Sequence, residues 1–152
     1  MIRSDKRLKL CKFLLIGILA FIWGNSLLPG EVSGAFSDWV KSVLDSILPA
    51  GPESQSGGGL LRKIAHFTEF TALGMTLGWL FGMLKKKPCW PALVGVAVAC
   101  VDETIQRFVP DRGPSVRDVV IDSSGVLTGL ILLYLGHTYC KYRKTHKTLE
   151  DK

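Results

Sequence analysis

Residues 10–28, LCKFLLIGILAFIWGNSLL, carry a single charged side chain, Lys12, and stop at Pro29-Gly30. As a helix rising ~1.5 Å per residue, this stretch is ~28 Å long, close to the ~30 Å hydrocarbon core of a bilayer. Arg3, Lys6, Arg7 and Lys9 stand in front of it. An apolar helix with a basic flank is the mark of a membrane span. Three further stretches repeat the pattern, at about 60–84, 90–109 and 118–136, and the middle two carry ionisable residues toward one end. The expected fold is therefore an all-α membrane protein, a four-transmembrane-helix bundle. Its 152 residues make one domain and are too few for two ordinary ones.

Charge placement supports this reading. The chain has a net charge of +6 and a pI near 9.3. A nucleic-acid binder stripes its basic residues along a polar face. Here they gather at the ends of apolar segments, so no nucleic-acid partner is expected. With the amino terminus inside, 13 of the 19 Lys and Arg residues fall on the cytoplasmic side, among them Lys85, Lys86, Lys87 and the tail from Lys141 to Lys152. Both termini are expected in the cytoplasm. A basic start, an apolar run and Ser33-Gly34-Ala35 also fit a cleavable signal peptide. That run is long for such a segment, and cleavage would leave three spans. Cys11, Cys89, Cys100 and Cys140 have no metal or disulfide spacing and are read as isolated thiols.

Between the first two spans, about 31–48, apolar residues recur at helical spacing: Val32, Ala35, Phe36, Trp39, Val40, Val43, Leu44, Ile47 and Leu48. Ser37, Asp38, Lys41, Ser42 and Asp45 lie opposite. The pattern predicts an amphipathic helix, either on the outer membrane interface or as a cap over the bundle. Pro49 to Gly59, rich in Gly, Ser and Pro, reads as a linker. Small residues repeat at Gly74, Gly78 and Gly82, at Gly95 and Ala99, and at Gly125 and Gly129. Such strips let helices approach closely in lipid.

Charged side chains inside a bilayer are costly and face a partner, a cavity or the interface. His66 and Glu69 are three apart in the second span, with Arg62 four before His66. Asp102, Glu103 and Gln106 end the third span, while Asp118 and Asp122 open the fourth. Counting rise per residue, Glu69 lies about 13 Å from its helix end, Glu103 about 7–9 Å and Asp122 about 6 Å. Three helices thus place ionisable groups in one outer slab. Asp102 and Glu103 point about 100° apart, and Glu103 follows the small-residue face of Gly95 and Ala99. Asp118 is equally a helix N-cap candidate. The turn Val109 to Ser115 sets Arg112 above the slab, where a guanidinium suits a phosphate or carboxylate.

The segment Arg62-Lys63-Ile64-Ala65-His66-Phe67-Thr68-Glu69-Phe70 through Leu73-Gly74 resembles the first signature of the VanZ-like membrane proteins. Asp102-Glu103-Thr104-Ile105-Gln106-Arg107-Phe108-Val109-Pro110, followed by Arg112, Ser115, Asp118-Val119 and Gly125 to Gly129, resembles the second. Asn25-Ser26-Leu27-Leu28-Pro29-Gly30-Glu31 is similar to the stretch after the first span in one branch. Phe70 replaces a frequent Tyr, and Asp122 replaces a usual Asn. The family is named for a protein linked to teicoplanin resistance in Gram-positive bacteria, so the resemblance implies a multi-pass protein of the bacterial plasma membrane.

The expected function is a site at the outer leaflet that acts on, or recognises, a lipid or cell-envelope headgroup. His66, Glu69 and Glu103 are the acid/base candidates. Lys63, Asp102, Gln106, Arg112, Ser115, Asp118 and Asp122 are the substrate-binding candidates. A divalent cation held by His66, Glu69, Glu103 and Asp118 is a variant of this expectation. The partner is a membrane lipid or lipid-linked envelope precursor, and self-association into an oligomer is compatible with so small a bundle. A non-catalytic binding or assembly protein for envelope glycolipid or antibiotic is the rival reading. A small transporter is the third, disfavoured by the lack of broken-helix repeats.

Overall fold

The computed structural model describes residues 2–47, 57–113 and 115–150. All regular structure among them is helical: α1 (Ile2–Ser26), α2 (Gly30–Ile47), α3 (Gly57–Met83), α4 (Cys89–Gln106) and α5 (Val116–Glu150). Leu48, most of the expected linker (residues 49–56) and Pro114 fall outside the described residues.

Local chemistry sets the helix ends. α1 stops before Leu27 and Leu28 because Pro29 disfavours helical backbone in the residue preceding it. α2 then starts at once, with the Ser33 amide donating to the Pro29 carbonyl at 3.0 Å. α3 ends in a Schellman turn: Lys86 N–H reaches the Phe81 carbonyl, and Lys85 N–H the Gly82 carbonyl. The left-handed residue in that turn is Lys85, at φ 52°. Ser115 caps α5, its hydroxyl accepting from the Arg117 amide at 3.2 Å. Asp118, weighed above as that cap, lies instead in the first helical turn, where its charge favours the helix dipole. α5 runs well past the expected end near Gly136, since neither Gly nor Pro follows to stop it.

α3 is the centre of the molecule and packs against each of the other four helices. Ile22, Phe70, Leu73, Leu77, Ala99 and Val126 form the buried core. The glycines explain how closely α3 and α5 approach. A Cβ on Gly74 would strike the Val126 backbone. One on Gly125 would meet the Phe67 carbonyl, and one on Gly129 the Thr71 carbonyl. Gly95 of α4 abuts the Val126 side chain, and Gly78 lies against Leu130 and Leu133. Gly82, expected in the same strip, has nothing within 4 Å of its would-be Cβ.

Two stretches are long and apolar enough to cross a membrane, Asp5–Ser26 and Val116–Arg143. Only 11% and 22% of their apolar windows is buried within the protein. The core helix of a water-soluble domain would be mostly covered. These helices present Phe13, Ile16, Phe21, Leu127, Ile131 and Leu132 outward, an apolar exterior suited to lipid. α3 and α4 are not among the two, because the ionisable side chains they carry lower their hydropathy.

α2 has the expected amphipathic sequence pattern and packs against α3. Val32, Ala35, Trp39 and Val43, one helical stripe, are exposed, while Ser33, Gly34 and Val40 are half-buried. Glu31, Asp38 and Ser42 are exposed as well.

Candidate functional site

The carboxyl end of α1, the first half of α3, the carboxyl end of α4 and the start of α5 meet at one end of the bundle, as their side-chain contacts record. Asn25, in the last turn of α1, donates its side-chain amide to Glu69 Oε1 at 2.8 Å. Its backbone carbonyl accepts from Arg112 Nη2 at 3.1 Å. Fully buried Ser26 accepts from Gln106 Nε2 at 3.2 Å, and the same nitrogen donates to Asp102 Oδ2 at 2.9 Å. Glu103 reaches the α4–α5 loop, where its Oε2 accepts from the Ser115 amide at 2.8 Å.

The deepest group joins three helices. His66 Nδ1 lies 3.9 Å from Asp102 Oδ2. One nitrogen or oxygen from each of His66, Asp102 and Asp122 lies within 4.8 Å of the other two. Asp102 and Asp122 are 0% and 1% exposed. His66 is thus grouped with Asp102 and Asp122, while Glu69 turns to Asn25 and Glu103 to Ser115. Of the four residues first considered for a cation, His66 alone belongs to this group.

A turn fixed from two sides positions Arg112. Asp111 adopts a left-handed conformation at φ 57°, and the Gly30 amide donates to the Pro110 carbonyl at 3.2 Å. A Cβ at residue 30 would collide with the Asp111 carbonyl, so glycine permits this contact between the two loops. Arg112 is 9% exposed, and its Nε and Nη1 have no hydrogen-bond partner among the described residues. Burial, then the like charge of Arg62, lowers its pKa from the ordinary arginine value. It remains a cation at neutral pH.

Three recesses share lining residues. A cleft with about 10 Å³ of free volume, room for one water or one small ion, is lined by Arg62, Lys63, His66, Glu103, Gln106, Asp118, Ile121 and Asp122. A 210 Å³ pocket is formed by Asn25, Ser33, Val40, Leu61, Arg62, Ile64, Ala65, His66, Glu69 and Arg112. Arg62 and His66 belong to both. Ala65 and Glu69 join the pocket to a 600 Å³ groove between α1 and α3, walled by Phe13, Leu14, Gly17, Ile18, Phe21, Thr68 and Ala72. Arginine, imidazole and carboxylate thus stand at one end of an apolar trough.

All ten residues predicted for the site lie at this end. Lys63 is the most peripheral, an exposed side chain at the rim of the smallest cleft. Sequence reasoning gave no site role to Asn25, Ser26 or Arg62. The cue for the first two was polarity at the tip of an apolar span. For Arg62 it was the shared face with His66.

No curated protein and no solved structure gives a significant match to the chain. A family model described as VanZ/LLP1 matches residues 12–137, from the first turns of α1 through both polar segments and the glycine-packed part of α5. With that match spanning all four helices that build the polar end, the chain belongs to the VanZ/LLP1 family.

Proposed function

We propose that α1, α3, α4 and α5 all cross the bilayer, and that their polar end binds the anionic headgroup of a membrane lipid or lipid-linked envelope precursor at the outer leaflet. Both termini are then cytoplasmic. The alternating helix directions put the basic amino terminus, Lys85–Lys87 and the basic tail together at the opposite end, as the positive-inside rule requires. α3 and α4 fit membrane passage because their exposed side chains, such as Leu60, Ile64, Met75, Leu93, Val96 and Val101, are apolar. His66, Glu69, Asp102, Glu103 and Gln106 turn inward.

The observation that carries the headgroup reading is Arg112, a nearly buried guanidinium with two nitrogens lacking an acceptor. Leaving a buried charge unsatisfied is expensive, so such a group calls for an anion. The pocket it lines shares Ala65 and Glu69 with an apolar groove of a size and lining suited to an acyl chain. The interfacial stripe of α2 sets the depth of this pocket near the headgroups.

Binding of phosphatidylglycerol and phosphatidylcholine to the purified full-length chain in detergent tests the proposal. Phosphatidylglycerol should be preferred, and Arg112→Ala should weaken it about tenfold or more, as loss of a charge-assisted hydrogen bond does. Equal binding of the two lipids, or an Arg112→Ala chain that binds as wild type, contradicts it.

Catalysis on the bound headgroup is the second reading, favoured by His66 Nδ1 lying 3.9 Å from Asp102 Oδ2, from where a small side-chain rotation would make the hydrogen bond that orients a general base. Glu69→Gln and Glu103→Gln together with Asp102→Asn separate the two. Binding retained with loss of the cellular phenotype favours catalysis, and retention of both leaves the binding role alone. A protein that holds or alters an envelope headgroup would change susceptibility to teicoplanin, so a deletion strain's susceptibility supplies that phenotype.

A further inference from the structure

We infer that His66, Asp102 and Asp122 form a binding site for one first-row divalent cation, at the bottom of the polar end. Three helices supply the ligands: α3 the imidazole, α4 and α5 the carboxylates. Their donor atoms lie within 4.8 Å of one another. Ligands about 2.1 Å from a shared ion stand ~3–4 Å apart, so small side-chain rotations complete the set. One nitrogen with two carboxylate oxygens suits Mn²⁺ or Zn²⁺ better than Ca²⁺ or Mg²⁺, which favour oxygen alone.

Two observations besides the clustering point to an ion. Asp102 Oδ1, Asp122 Oδ1 and His66 Nδ1 are buried and have no hydrogen-bond partner among the described residues, although both aspartates are almost wholly enclosed. A cleft that His66 and Asp122 line, beside Asp102 and with Arg62, Lys63 and Glu103 among its other walls, has the volume of a single water or small ion. Charge agrees as well. Among the described residues, the buried Asp and Glu side chains are Asp102, Glu103 and Asp122, and the buried Lys or Arg side chain is Arg112, so carboxyl groups outnumber cations there. Carboxylates taken out of water need a compensating partner, and a divalent ion supplies that charge. Gln106 holds Asp102 Oδ2 and so orients that carboxylate, as outer partners of metal ligands do.

This site stands apart from the headgroup reading, because it is measured with no lipid added. The full-length chain, carrying no histidine tag and with His137→Gln and His146→Gln to remove the tail imidazoles, is stripped with chelator and titrated with Mn²⁺. Loss of the free-ion electron paramagnetic resonance signal counts the bound ions. One ion per chain is expected, with affinity reduced at least about tenfold in His66→Gln and Asp122→Asn. Asp5→Asn, an exposed carboxylate near the start of α1 and far from this end, should bind as the parent does. Electron spin echo modulation of the parent's bound Mn²⁺ should show nitrogen coupling from His66, which needs no variant to fold. No bound ion, undiminished binding in both ligand variants, or bound Mn²⁺ without nitrogen coupling overturns the site.

Discussion

The two halves of this bundle are built on opposite principles. In the half centred on Gly74, Gly78, Gly125 and Gly129, helix backbones meet closely and apolar side chains form the core. In the half centred on Asp102, charged groups are buried and several of their atoms lack partners. Apolar burial drives helices together in water, but lipid is as apolar as the core, so close packing has to hold a membrane bundle. The glycine seam supplies that packing. It lets the polar end keep a costly arrangement that packing alone would not select.

Substitution at the seam should have the largest effect. Gly129→Leu drives a side chain into the Thr71 carbonyl and the next turn of α3. It should cost at least ~1–3 kcal/mol, the usual penalty of overpacking, and abolish a cooperative thermal transition in detergent. At the polar end the sign should reverse. Asp122→Asn replaces a buried carboxyl that has an unpartnered oxygen with a neutral amide and should raise stability by up to about 2 kcal/mol in ion-free buffer while weakening ligand binding. Loss of stability in that variant would place Asp122 with the structural half.

Smaller effects sharpen the boundary. Gly30→Ala disturbs the loop contact that positions Arg112 and leaves the seam intact. Stability should fall by about 1 kcal/mol, and phosphatidylglycerol affinity by about tenfold. A binding constant unchanged from wild type would show that the loop staple does not position the arginine. Lys85→Gly should act least. It relieves a left-handed lysine and should gain at most about 1 kcal/mol, with lipid binding unaltered, as unfolding and binding titrations on the same sample would record.

Helix spacing and the small-residue strips were legible in the sequence, because both follow from local periodicity. That the polar groups gather at one end of the bundle was legible too, since rise per residue fixes position along each helix. Direction around each helix was harder. His66 and Glu69 are three residues apart, which leaves them roughly 60° apart around the axis. In a crowded bundle that angle separates two neighbours: His66 faces α4 and α5, and Glu69 faces α1. The same uncertainty favoured Glu103 over Asp102, yet both are buried, Asp102 beside His66 and Glu103 against the loop. Asn25 and Ser26 gave no periodic signal, because a single turn at a helix end has none. Their role depends on α4 and Arg112, more than 75 residues away.

The central claim is that the polar end is built around an anionic headgroup. A cryo-electron microscopy map of the full-length chain in phosphatidylglycerol nanodiscs tests it most directly. The account predicts phosphate density about 3 Å from Arg112 Nε or Nη1, with an acyl chain continuing past Glu69 into the groove between α1 and α3. Lipid density confined to the outer faces of the bundle, with Arg112 bonded only to protein or water, would contradict it.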